Sequence, residues 1–126
     1  MSGRIRVLLV EDSDVYRESL VFLLGRHEGI EVVGAVPDGR SATKAYLELS
    51  PDVVVLDYRL PDADGAEVAF ELRENNPEAA IVFLSASAGR DEYDAAASSD
   101  ATLVRKDEGI DALVGAVRAA AGRSGA

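Results

Sequence analysis

The sequence predicts an α/β protein, a doubly wound five-stranded parallel sheet built as (βα)5. Five short runs, 5–10, 31–36, 53–56, 80–84 and 101–105, are rich in β-branched and other apolar residues. Most show little polar alternation, as strands buried on both faces do. Helical patterns fill the gaps between them, and regular alternation of this kind implies right-handed crossovers with helices on both faces of the sheet. A chain of 126 residues is a single domain with room for a hydrophobic core.

The first run, Ile5-Arg-Val-Leu-Leu-Val10, ends in two acids, Glu11 and Asp12, and Ser13–Asp14 then opens a helix striped by Tyr16, Leu20, Leu23 and Leu24. The turn Gly25-Arg-His-Glu-Gly29 leads to the second strand, and its His27 reads as a surface residue. Pro37-Asp-Gly39 breaks the chain before a helix striped by Ala42, Ala45, Tyr46 and Leu49. The third strand, within Pro51-Asp-Val-Val-Val-Leu-Asp57, runs into the loop ending at Asp64-Gly65, and a shorter stripe of Val68, Ala69 and Leu72 follows. Asn76-Pro77 precedes the fourth strand, Ile81-Val-Phe-Leu84, which leads to Ser85. Residues 90–98 form the weakest helix, with Tyr93 and a few alanines among Asp91, Glu92 and Asp94. The fifth strand ends at Arg105 before Lys106, and Ile110, Leu113, Val114, Val117 and Ala121 stripe the last helix. The domain is expected to span 1–121, with 122–126 as a flexible tail or linker stub.

Composition narrows the function. A net charge of −10 and a pI near 4.4 argue against this domain gripping nucleic acid directly. No cysteine is present, so disulfides and thiolate metal sites are excluded. No signal-like apolar core follows the N-terminus, and no apolar run approaches the ~18 residues that span a bilayer. A soluble, cytoplasmic domain with no membrane partner is the expectation.

In open α/β sheets, ligands bind beyond the carboxyl ends of the strands, at the topological switch point. Here those ends carry Glu11, Asp12, Asp57, Ser85 and Lys106. Each alone reads more readily as a solvated strand end, a structural hydroxyl or a surface lysine. Together they form a coherent set. Clustered carboxylates repel unless a cation or a raised pKa relieves them. The cation such oxygens suit best is Mg²⁺, which takes a few carboxylates and keeps several waters. Lys106 supplies a point charge and Ser85 a rotatable donor. A carboxylate held in such a set can attack a phosphoryl group and become an acyl phosphate.

The pair Glu11-Asp12, the loop Asp57-Tyr-Arg-Leu-Pro61…Asp64-Gly65, the pair Ser85-Ala86 and Lys106 resemble, in order and spacing, the receiver domain of two-component response regulators over nearly the whole chain. The resemblance implies a flavodoxin-like strand order of 2-1-3-4-5. It implies Asp57 as phosphoacceptor, Asp12 as a direct Mg²⁺ ligand, Glu11 as an outer or water-mediated one and the backbone carbonyl of Arg59 as a further ligand. Ser85 corresponds to the switch hydroxyl and Lys106 to the ionic partner of the phosphoryl group. The implied donor is a phosphohistidine on a sensor histidine kinase or phosphotransfer protein. The implied role is a phosphorylation switch in signal transduction, not an enzyme beyond its own phosphoryl transfer and dephosphorylation. The family's output face maps to residues 86–118, around Tyr93 and Leu103, for an output domain, a partner protein or a homodimer contact. The stretch from Lys106-Asp107 through the Ala-rich helix is similar to receivers that precede a helix-turn-helix output domain.

Departures from the family pattern matter. Leu103 stands where many members have an aromatic ring that takes part in the switch. Asp107 stands where many have proline, so no cis bond is expected after Lys106, given its ~3 kcal/mol cost. Ser99-Asp100 replaces a frequent Gly-Ala. Leu103 keeps one alternative open, a pseudo-receiver that binds partners without phosphorylation. An aspartyl phosphatase is disfavoured, because Arg59 stands where its second acid belongs. A flavodoxin-like cofactor binder is disfavoured because Glu11-Asp12-Ser13-Asp14 repels phosphate. Arg59 is expected to overhang the acceptor and shield it from water, and Asp62, Asp64, Asp91, Glu92 and Asp94 are expected to be solvated charges.

Overall fold

The computed structural model describes residues 3–86 and 89–124, without the side chains of residues 123 and 124. The elements run β1 (Ile5–Val10), α1 (Asp14–Gly25), β2 (Ile30–Val36), α2 (Gly39–Leu49), β3 (Val53–Asp57), α3 (Gly65–Asn75), β4 (Ile81–Ser85), α4 (Arg90–Ser98), β5 (Thr102–Arg105), a 3₁₀ turn (Lys106–Glu108) and α5 (Ile110–Ser124). All strand pairs are parallel, in the order β2-β1-β3-β4-β5. This is the alternation and strand order expected.

Side-chain alternation along the buried strands builds two cores. Val7, Leu9, Val53, Val55, Val82, Leu84 and Val104 face α1 and α5, through Leu20, Leu24, Leu113 and Val117. Leu8, Val10, Val54, Leu56, Ile81 and Phe83 face the other way, toward α2, α3 and α4, through Ala42, Tyr46, Val68, Leu72 and Ala96. The central strands β3 and β4 are buried along their whole length, which explains why their sequences lack polar alternation.

Helix starts are chemically fixed. Ser13 caps α1 by accepting the Tyr16 amide, and Asp38 caps α2 by accepting the Ser41 amide. Asp64 and Glu67 form a reciprocal capping box at α3. Asp62 reaches across from the β3–α3 loop and accepts the Gly39 and Arg40 amides at 2.9 and 3.0 Å. Asp62 and Asp64, expected as solvated charges, are therefore caps that fix two helix starts.

Helix α5 runs on to Ser124, so residues 122–124 of the expected tail or linker stub are helical, while 125–126 lie outside the described residues. Gly122 has open space around it, and nothing there forces the helix to stop. His27 sits at the surface, partly exposed and held by two neighbours. Its Nδ1 lies 2.9 Å from the Leu23 carbonyl, which requires the proton on that nitrogen, and its Nε2 lies 3.8 Å from Asp111 at the start of α5.

Candidate functional site

Strand register brings the expected residues to one edge. Val10 pairs with Leu56, Asp57 with Leu84 and Ser85 with Arg105, so the carboxyl ends of β1, β3, β4 and β5 finish together. This is the switch point, since the chain leaves β1 for β2 on one side while β3 flanks it on the other. The loop after β3 is held close. Tyr58 donates its amide to Leu84 at 2.9 Å, and Gly65 donates to Tyr58 at 2.6 Å. A Cβ at Gly65 would stand 3.0 Å from the Tyr58 Cα and 3.1 Å from Phe83, so a larger residue there would press α3 away from the end of β3.

Glu11, Asp12 and Asp57 each offer a carboxylate oxygen within 4.8 Å of the others. Glu11 and Asp57 are buried and Asp12 is exposed. Lys106 places Nζ 2.9 Å from Glu11 Oε1 and 3.1 Å from Asp57 Oδ2. The second oxygen of Glu11 accepts the Ser13 amide at 2.9 Å, and Asp57 Oδ1 accepts the Arg59 amide at 3.2 Å. Arg17 donates to the Glu11 carbonyl at 2.7 Å, fixing that turn from α1. Buried Ser85 lies at the end of β4, beside this group.

The electrostatics are those of a site with excess negative charge. Burial, then the neighbouring Glu11 carboxylate, push the Asp57 carboxyl up to about 6, against the pull of the Arg59 amide and Lys106. Burial opposes charge on Glu11 too, but the Lys106 ammonium and the Ser13 amide outweigh it and hold Glu11 below the usual carboxylate range. For Lys106, burial is likewise outweighed by Glu11 and Asp57, and its pKa is raised. One ammonium cannot neutralise three carboxylates. Glu11 Oε1, although ion-paired with Lys106, is buried with no hydrogen-bond donor aligned on it. An all-oxygen set of three carboxylates facing one ammonium fits a hard divalent cation.

The strand ends bring Glu11, Asp12, Asp57, Ser85 and Lys106 to one edge, and Arg59 is paired toward α4. The Arg59 guanidinium pairs with Glu92 Oε2 at 3.3 Å, and Glu92 also accepts the Gly89 amide at 3.1 Å through Oε1. Glu92, expected as a solvated charge, is 5% exposed and ties the loop after β3 to the first turn of α4. Tyr16, expected only as a core residue of α1, stands with its ring centroid 4.6 Å from Lys106 Nζ. Leu103 is partly buried against the α2–α4 core, and Tyr93 is exposed on α4.

A model of the response regulator receiver domain matches residues 7–118, and the chain belongs to that family. It is 35% identical over 124 residues to protein-glutamate methylesterase/protein-glutamine glutaminase 1 of Dechloromonas aromatica, covering 98% of this chain and 33% of that protein. It is 41% identical over 100 residues to the fifth protein of that name in Myxococcus xanthus, covering 79% and 28%. It is 35% identical over 81 residues to response regulator GacA of Pseudomonas viridiflava, covering 64% and 38%. The chain therefore spans well under half the length of these relatives, and their enzyme names are said of those longer proteins. Among solved structures, a LuxR-family two-component response regulator from Aurantimonas superposes with a TM-score of 0.90 at 30% identity, covering 94% of this chain and 86% of that one. The response regulator domain of Thermotoga maritima CheB superposes with a TM-score of 0.85 at 27% identity, covering 94% and 97%. The acidic pocket of Glu11, Asp12 and Asp57 is that of a receiver built for a phosphorylation switch. No helix among the described residues is long and apolar enough to cross a membrane.

Proposed function

We propose that Asp57 is the phosphoacceptor of a Mg²⁺-dependent phosphorylation switch. The observation that carries this is a buried strand-end carboxylate 3.1 Å from Lys106, with carboxylate oxygens of Glu11 and Asp12 within 4.8 Å. One Asp57 oxygen attacks the phosphorus of a phosphohistidine on a kinase or phosphotransfer protein. The P–N bond breaks, histidine keeps the electron pair, and an acyl phosphate forms on Asp57. Asp12, Asp57 and the Arg59 carbonyl would hold Mg²⁺, with Glu11 acting through water, and the ion would neutralise phosphoryl oxygen charge when bound. Lys106 meets the charge developing on the transferred group, and the Ser85 hydroxyl donates to one of its oxygens.

Readout follows from local charge. A phosphoryl group offers Lys106 and Ser85 new acceptors, drawing the ends of β4 and β5 toward Asp57 and biasing the 86–118 face toward its output partner. The relatives' names span methylesterases and a response regulator, so what they share with this chain is the receiver and not one output chemistry.

The test is incubation with acetyl phosphate, with and without Mg²⁺, followed by intact mass measurement beside Asp57→Asn. One Mg²⁺-dependent phosphoryl addition, absent in the variant, is expected. If neither acetyl phosphate nor beryllofluoride adds to Asp57, the switch is wrong and the chain is a pseudo-receiver.

A further inference from the structure

An ammonium carries three protons. Lys106 Nζ hydrogen-bonds to Asp57 Oδ2 at 3.1 Å and forms an ion pair with Glu11 Oε1 at 2.9 Å. Nζ also lies over the Tyr16 ring, 4.6 Å from its centroid and well inside the range of a cation–π contact. Tyr16 is not free to drift. Its amide is bonded to the Ser13 hydroxyl at 3.3 Å, and the Ser13 amide is bonded to Glu11 Oε2 at 2.9 Å. The ring is half-buried against the α1–α5 core, where with Leu20, Leu113 and Lys106 it lines a cleft of about 150 Å³. One short stretch thus places an acid against the ammonium on one side and an aromatic face against it on another.

The two kinds of partner do different things. A carboxylate that holds Lys106 also competes with the acceptor for it. A ring face attracts the ammonium without carrying a full charge and without ligating a hard cation. We propose that Tyr16 is a positioning residue for Lys106, its ring face holding the ammonium at the mouth of the site so that Nζ meets Asp57 and a phosphoryl group carried on it. This rests on the phosphoacceptor reading above.

The experiment separates ring electrostatics from packing. Tyr16 is replaced by Phe, then by mono-, tri- and pentafluorophenylalanine, which keep the ring's shape while draining its face of negative charge. Beryllofluoride affinity in the presence of Mg²⁺ is read by ¹⁹F NMR, with Tm as the folding control. Tyr16→Phe should stay within about 2-fold of wild type, and affinity should fall steadily along the series, by about 3- to 30-fold at the pentafluoro ring. A flat series at constant Tm overturns the proposal, since a merely structural ring would give that. In the ligand-free protein, the Lys106 ε-methylene protons should be shifted upfield by the ring current and should relax in Tyr16→Leu. The absence of that shift also overturns it. If wild type itself fails to bind beryllofluoride, the phosphoacceptor reading falls, and the ligand-free ring current alone decides whether Tyr16 cradles Lys106.

Discussion

Asp57 is a carboxylate whose surroundings favour its protonated form, burial first and the Glu11 charge second. Its pKa is about 6 in the fold against an ordinary 3.8, so the folded state holds this proton more tightly than the unfolded chain. Between those values the folded protein binds more protons, stability falls as pH rises, and the penalty is complete above the folded value. Asp57→Asn removes the charge that is penalised. It should stabilise the protein at pH 7 by on the order of 1–3 kcal/mol, at ~1.4 kcal/mol per pKa unit. Urea denaturation at several pH values should show that gain fading as pH falls toward 4, and a constant gain would contradict the assignment. Lys106 behaves in the opposite sense, because Glu11 and Asp57 both depend on it. Lys106→Met leaves two buried carboxylates facing each other and should cost roughly 2–4 kcal/mol at neutral pH. The cost should shrink in the Asp57→Asn background, since one of the stranded charges is gone. Equal costs in the two backgrounds would show that the contacts are not energetically coupled.

Between elements, the loop after Asp57 is the joint that links β3 to its neighbours. On one side it closes on β4 and α3 through Tyr58 and Gly65, and on the other it reaches α4 through Arg59 and Glu92. Gly65→Ala puts a methyl carbon 3.0 Å from the Tyr58 Cα and should destabilise by roughly 1–3 kcal/mol, the usual range for overpacking. Tm and a urea midpoint check this, and an unchanged Tm would mean the loop yields freely. Glu92→Ala removes both the Arg59 ion pair and the acceptor for the Gly89 amide, at a helix whose N-cap is a glycine with no side chain to replace it. Amide exchange should speed up in residues 89–95 while α5 keeps its protection, and uniform acceleration would instead mean global destabilisation. The strands were legible in the sequence because burial on both faces strips them of polar residues, and the site was legible because strand ends share an edge. Glu92 and Asp62 were not, since a surface-looking acid gives no sign of a partner 33 or 22 residues away in the chain. Tyr16 was read correctly as part of a stripe, but a stripe does not say that one ring extends past the core to Lys106.

Across the whole molecule, a chain of net charge −10 folds so that three carboxylates meet at one edge with a single ammonium among them. Any salt should relieve the overall repulsion by screening, and only a cation that enters the pocket should do more at equal ionic strength. Mg²⁺ should therefore raise Tm beyond a matched NaCl control. A tenfold excess over the dissociation constant is worth ~1.4 kcal/mol, or roughly 3–6 °C for a domain of this size. The ion must displace the proton that the folded state holds on Asp57 up to about pH 6. Binding should accordingly be weaker at pH 5 than at pH 7.5 and level off above pH 7, with proton release on binding confined to the acid side. The two effects oppose each other along the pH axis. Without Mg²⁺, stability falls as Asp57 ionises, and with Mg²⁺, that same ionisation creates the ligand. The stability difference between the two conditions should thus widen steadily from pH 5 to 7, and Asp57→Asn should flatten it. Differential scanning calorimetry of both proteins over that range, at fixed ionic strength, measures the difference directly. If it does not vary with pH in wild type, the ion is bound elsewhere, and Glu11, Asp12 and Asp57 are not its ligands.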